Sequence, residues 1–96
     1  MKVSYELMMI VTPDVTEEER GTIITYVEDS IKGIEAEELK KEEMGTKKLA
    51  YPIQKKENGF YVLFKFVVEG TKLIELERKI NLKNDKIIRY ILVKQG

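Results

Sequence analysis

Hydrophobic and polar positions along the chain change period several times, and each change marks an element. Residues 4–11, SYELMMIV, read as a strand bounded by the turn residues Thr12, Pro13 and Asp14. A helix follows. Thr16 and Glu19 have the capping-box spacing, and Glu17, Glu18 and Glu19 crowd the first turn, where the helix dipole favours acid. Ile23, Ile24, Val27 and Ile31 recur at helical spacing, and Gly33 is placed to take a left-handed C-terminal position. Residues 35–43 are dense in charge, end at Met44-Gly45, and suit a sheet edge, where charge discourages strand addition. Lys47, Leu49, Tyr51 and Ile53 alternate with Lys48 and Ala50 up to Pro52, which lacks a ladder donor and again points to an edge. Asn58-Gly59 reads as a turn, and residues 60–68, FYVLFKFVV, as a central strand. Residues 71–80 predict a second helix with Leu73, Leu76 and Ile80 on one side, and residues 86–94 a last strand.

The order is βαββαβ in one domain spanning residues 1–96. Right-handed crossovers place both helices on one face of a four-stranded antiparallel sheet. Side-chain alternation then assigns the two faces. With Leu7, Met9, Val11, Val62, Phe64, Phe66, Tyr90 and Leu92 under the helices, the open face carries Met8, Ile10, Tyr61, Leu63, Lys65, Arg89, Ile91 and Val93. A contiguous apolar patch of that kind marks a partner site unless loops or termini shield it. Met8, Ile10, Tyr61, Leu63, Ile91 and Val93 are its protein-interface candidates.

Composition narrows the function. The chain has neither cysteine nor histidine, which removes thiol chemistry, disulfides, the commonest general base and the commonest transition-metal ligand. No apolar run approaches the roughly 18 residues of a membrane span. The first eleven residues include Glu6 and lack a cleavage site, so no signal peptide is expected and the cytoplasm is the default. The net charge of zero conceals a polarity: residues 1–38 hold three basic and ten acidic side chains, residues 39–96 fourteen basic and seven acidic. One acidic surface and one basic surface turned toward a polyanion are the expectation.

The segment 42–64 concentrates Lys47, Lys48, Lys55 and Lys56 around a Tyr51-Pro52 pair, with no nucleophile and no phosphate-cradling glycine loop. The stacking motif of RNA-recognition domains, which share this topology, starts well at Gly59-Phe60. It fails at Tyr61, where a small residue is wanted, and at Val62, where an aromatic is. Acylphosphatase-like chemistry needs an arginine in a phosphate loop, and residues 12–17 supply none. Glu42 and Glu43 read as solvated edge charges, and no helix start carries the Gly/Asp-rich loop of a small-molecule regulatory domain. The lysines remain, as point charges for phosphates that carry no base information. Lys2, Arg89 and Lys94 join them as basic residues on the first and last strands, and Tyr51 is either RNA-facing or an edge-packing ring.

Gly45-x-Lys-Lys-Leu-Ala-Tyr-Pro-Ile, followed by Lys55 and Gly59-Phe60-Tyr61, resembles the hallmark segment of the bacterial small-subunit ribosomal protein six family. The Tyr5-Glu6 start, the Ile10-Val11-x-Pro13 turn and the closing Arg89-x-x-x-Val93-Lys94 strand resemble it too, so the likeness runs over residues 5–94. It implies a ferredoxin-like α+β sandwich with no catalytic residue, metal or cofactor, acting as a structural constituent of the small ribosomal subunit. It also implies binding to the central domain of small-subunit ribosomal RNA together with a small basic partner, ribosomal protein eighteen. That partner would cover the open apolar face and add positive charge. On this reading Lys2, Lys47, Lys48, Tyr51, Lys55, Lys56, Arg89 and Lys94 are the RNA-binding candidates. A free-standing RNA-binding or regulatory domain of the same fold is the alternative. Two departures stand out. Some members carry a C-terminal tail that is extended with glutamates, which a sequence ending at Gly96 is not expected to share. Ile88 stands where other members can have a second basic residue beside Arg89, predicting a weaker RNA contact on the last strand.

Overall fold

The computed structural model describes residues 1–95; the expectation about a tail beyond Gly96 lies outside the described residues. Strand β1 (Lys2–Val11) leads into helix α1 (Glu17–Gly33), then β2 (Glu37–Ile53) and β3 (Lys56–Glu69). A single 3-10 turn (Gly70–Lys72) precedes helix α2 (Leu73–Asn81), and β4 (Ile87–Gln95) closes the chain. The strands lie in the order β2-β3-β1-β4, and every neighbouring pair is antiparallel. This is the ferredoxin-like α+β arrangement expected, with β2 and β4 as the two edges.

Register places the predicted side chains under the helices. Leu7 faces Phe64 and Leu92, and Met9 faces Val62 and Tyr90. From α1, Ile23, Ile24, Val27 and Ile31 meet this layer, and α2 adds Leu76 and Ile80. Phe64, Phe66 and Leu7 are among the largest fully buried side chains. Burying each contributes roughly 1.5–3 kcal/mol, so this layer carries the fold.

Helix α1 starts as its capping residues require: the Thr16 hydroxyl accepts from the Glu19 N–H at 3.0 Å. Its end departs from expectation. Gly33 is the last helical residue, and Glu35 takes the left-handed conformation at φ +62°. The reason is Ile34. It lies three residues beyond Ile31, continues the apolar stripe and is buried, so the chain leaves the helix only after seating it. Glu35 then donates its N–H to the Lys32 carbonyl at 3.0 Å, and its carboxylate accepts from Lys72 at 2.7 Å.

The β2–β3 hairpin also turns at a different place from the one expected. Asn58-Gly59 is not the turn; both residues lie inside β3, opposite Lys48 and Lys47. The chain reverses at Gln54 and Lys55, with φ +51° and +66°, which is the pair of left-handed residues a tight two-residue hairpin loop needs. Gly59 is required for a different purpose. A Cβ there would stand 2.2 Å from Ile10 Cγ2, so only glycine lets β3 pass over that side chain. Strand β2 also runs unbroken through Met44-Gly45, where Gly45 at φ +91° absorbs a bulge instead of ending the strand.

Candidate nucleic-acid and protein interface

The face of the sheet away from the helices follows the predicted alternation. Met8 lies between Leu63 and Ile91, Ile10 between Tyr61 and Arg89, and Glu6 between Lys65 and Val93. The six protein-interface candidates therefore share one face. They are not equally open. Ile91 and Val93 are 52% and 45% exposed, Met8, Tyr61 and Leu63 are half-buried, and Ile10 is buried.

The chain's own hairpin covers Ile10. Lys48 pairs with Asn58 and Ile53 with Lys56, so four residues of β2, 49–52, stand against the single residue Glu57 of β3. That excess leaves the ladder and curls onto the open face. Pro52, with no N–H to donate, suits an off-ladder position. Leu49 is buried there against Ile10 and Ile88, with Ile53 and Tyr61 around them, forming a satellite core on the face opposite the main one. Ile88 sits at the register shift between β4 and β1. Its apolar side chain thus has a packing role in the place where a cation was the alternative. Between the curled arm and the sheet remains a groove of about 250 Å³, walled by Met8, Leu49, Tyr51, Tyr61 and Ile91 among others, with Arg89 at its lining.

The RNA-binding candidates fall into three groups. Lys47, Lys48 and Lys55 are exposed on the hairpin, and none has a carboxylate partner among the described residues. The Lys47 ammonium lies 5.8 Å from the centre of the Tyr61 ring. Arg89 shares the open face with Lys47 and donates to the Tyr51 hydroxyl at 2.7 Å, which brings Tyr51 into the same patch, whereas Lys48, the next ladder residue after Lys47, alternates to the other face. Lys56 faces the β1–α1 connection instead and pairs with Asp14.

Lys2 and Lys94 lie elsewhere. Lys2 is at the other end of β1, some nine residues or about 30 Å along the strand from the hairpin end. It donates to Glu37 at 2.7 Å, and that hydrogen bond, reinforced by the charges of Glu37, Glu69 and Glu35, raises its pKa above 10.5. Lys94 pairs with Tyr5 and shares its side of the sheet with Tyr90 and Leu92, opposite to Arg89. Sequence reading placed Arg89 and Lys94 together on one strand; alternation separates them by face. What it missed outright was the approach of Tyr51 to Arg89. The only sign of it in the sequence was the unusual Tyr-Pro pair next to a strand end.

No helix of the described residues is long and apolar enough to cross a membrane. The chain is thus an α+β domain of ferredoxin-like topology, with a half-covered apolar sheet face beside exposed cations that have no carboxylate partner among the described residues. The family model for Ribosomal protein S6 matches residues 4–94. The small ribosomal subunit protein bS6 of Fusobacterium nucleatum is 46% identical over 91 residues, covering 95% of this chain and 96% of that protein. The bS6 protein of a Sulfurovum species is 36% identical over 90 residues, covering 94% and 70%. The crystal structure of 30S ribosomal protein S6 from Thermotoga maritima superposes with a TM-score of 0.90 at 33% identity, covering 99% of this chain and 89% of that one. This chain belongs to the ribosomal protein S6 family, whose members are structural proteins of the small ribosomal subunit and not enzymes.

Proposed function

We propose that this protein binds the central domain of small-subunit ribosomal RNA cooperatively with ribosomal protein eighteen, and that the hairpin face is where both meet it. The observation that carries this reading is the juxtaposition of two surfaces. Lys47 and Arg89 lie on the open sheet face, with the exposed Lys48 and Lys55 beside them on the same hairpin, and the exposed row of Ile91 and Val93 shares the face of Arg89. The cations supply phosphate contacts without base readout. A chain of zero net charge gains little from long-range attraction to RNA, so a basic partner seated on the apolar row supplies the missing charge.

Lys2 and Lys56 are held in ion pairs and contribute to this surface less than the three hairpin lysines. Removing one lysine–phosphate interaction lowers the slope of log affinity against log salt by about one unit. The Lys47→Ala, Lys48→Ala double variant is therefore expected to flatten that slope by about two units in titrations of a central-domain RNA fragment with the partner present. Tight binding of RNA by this protein alone would overturn the cooperative reading. An unchanged slope would move the footprint off the hairpin.

A further inference from the structure

We propose that Tyr51 and Arg89 form a clasp tying the two outer strands together across the open face. Tyr51 is then a positioning residue that sets Arg89 and Lys47 into one RNA-facing patch and holds the hairpin that carries Lys48 and Lys55, and is not itself an RNA contact. The second half of this proposal rests on the RNA-binding reading above; the clasp itself does not.

The two partners come from strands that are not neighbours. β2 and β4 are separated by β3 and β1, three strand spacings or about 14 Å. The Tyr51 hydroxyl nevertheless accepts from an Arg89 guanidinium nitrogen at 2.7 Å, and the guanidinium carbon lies 5.9 Å from the ring centre. Two features of the chain make that reach possible. The four-against-one mismatch frees residues 49–52 from the ladder, and Leu49 anchors the freed arm by burying itself on Ile10 and Ile88. Tyr51, two residues further, is thereby carried over the sheet to Arg89.

The chemistry of the pair fits positioning. A guanidinium has five N–H donors in a planar fork, so one bond to Tyr51 orients it and leaves the others for phosphate. Fixing the fork before RNA arrives removes part of the ordering cost of binding. The same bond holds the arm down, and the arm carries Lys47 and Lys48 before it and Lys55 after it. The Tyr51 hydroxyl oxygen is meanwhile engaged by Arg89, although the residue as a whole stays 57% exposed.

Two measurements test this. In the isolated protein, amide hydrogen exchange over residues 47–56 is expected to quicken about tenfold in Tyr51→Phe and equally in Arg89→Gln, with no further gain in the double variant and no change in β1. Unaltered hairpin exchange would overturn the clasp whatever RNA does. In RNA titrations with the partner, Tyr51→Phe is expected to weaken binding about fivefold, and less than twofold when added to Arg89→Gln. If Tyr51→Phe binds normally while Tyr51→Ala does not, the ring stacks on RNA and the positioning role is wrong. If Tyr51→Phe lowers only the thermal midpoint, the pair is merely structural. If Lys47→Ala with Lys48→Ala and Arg89→Gln all bind normally, the RNA reading fails while quickened exchange still upholds the clasp.

Discussion

Replacing Gly59 by alanine puts the close passage of β3 over β1 to a quantitative test. The added Cβ would lie 2.2 Å from Ile10 Cγ2, whereas carbon atoms rest at about 3.5–4.0 Å, so about 1.3 Å or more must open. Ile10 cannot swing aside cheaply. It is β-branched and stiff at χ1, and it is packed between Leu49 and Ile88. Gly59 has no left-handed φ, so alanine carries no backbone strain there. Without the clash the substitution would stabilise by about 0.4–1 kcal/mol through the unfolded state. Overpacking costs about 1–3 kcal/mol and dominates. A net loss of about 1–2 kcal/mol follows, which for a domain of this size lowers the thermal midpoint by roughly 5–15 °C. Urea and thermal unfolding followed by circular dichroism measure it. The decisive control is Ile10→Ala, which removes Cγ2: in that background Gly59→Ala should be neutral or stabilising. Additive losses, or a Gly59→Ala protein as stable as its parent, would refute the steric account.

Thr16→Ala should cost about 1 kcal/mol by urea denaturation through loss of the bond to the Glu19 N–H, with Thr16→Ser retaining most of it. Acid should weaken the fold through two carboxylates. Lys72 holds Glu35 below its ordinary pKa of 4.5 by a hydrogen bond and by its charge, and the N-terminal ammonium does the same for Glu69. A carboxylate depressed in the folded state stabilises above its unfolded pKa and loses that contribution as pH falls through the folded value. The thermal midpoint should therefore fall below pH 4.5, and less steeply in Glu35→Gln and Glu69→Gln. Parallel profiles for parent and variants would show that other groups govern acid sensitivity.

Much of the fold was legible because each signal was local. The Thr16-to-Glu19 spacing starts α1, and the alternation of Leu7, Met9 and Val11 names the buried face of β1 correctly. The misplaced features are those where a distant contact overrules local chemistry. Asn58-Gly59 has the composition of a turn, but Ile10, some fifty residues earlier, needs that glycine, and Gln54 and Lys55 bend in its place. Gly33 has the composition of a helix stop, but Ile34 is wanted in the core first. The candidate site followed the same rule. Face assignment of Met8, Leu63, Ile91 and Val93 came from period two and holds. The burial of Ile10 and the meeting of Tyr51 with Arg89 depend on a register mismatch that no residue pattern announces.

The central place of β1 has a consequence for how the chain acquires its structure. Its residues pair with β3 on one side, as Lys2 with Glu69, and with β4 on the other, as Ser4 with Gln95. These are contacts across nearly the whole sequence, and topologies dominated by such contacts fold slowly. Until residues 87–95 dock, the sheet ends at β1, whose unpaired backbone groups flank Met8 and Ile10. Its vulnerability to strand addition is therefore greatest before residues 87–95 are in place, and their docking removes it.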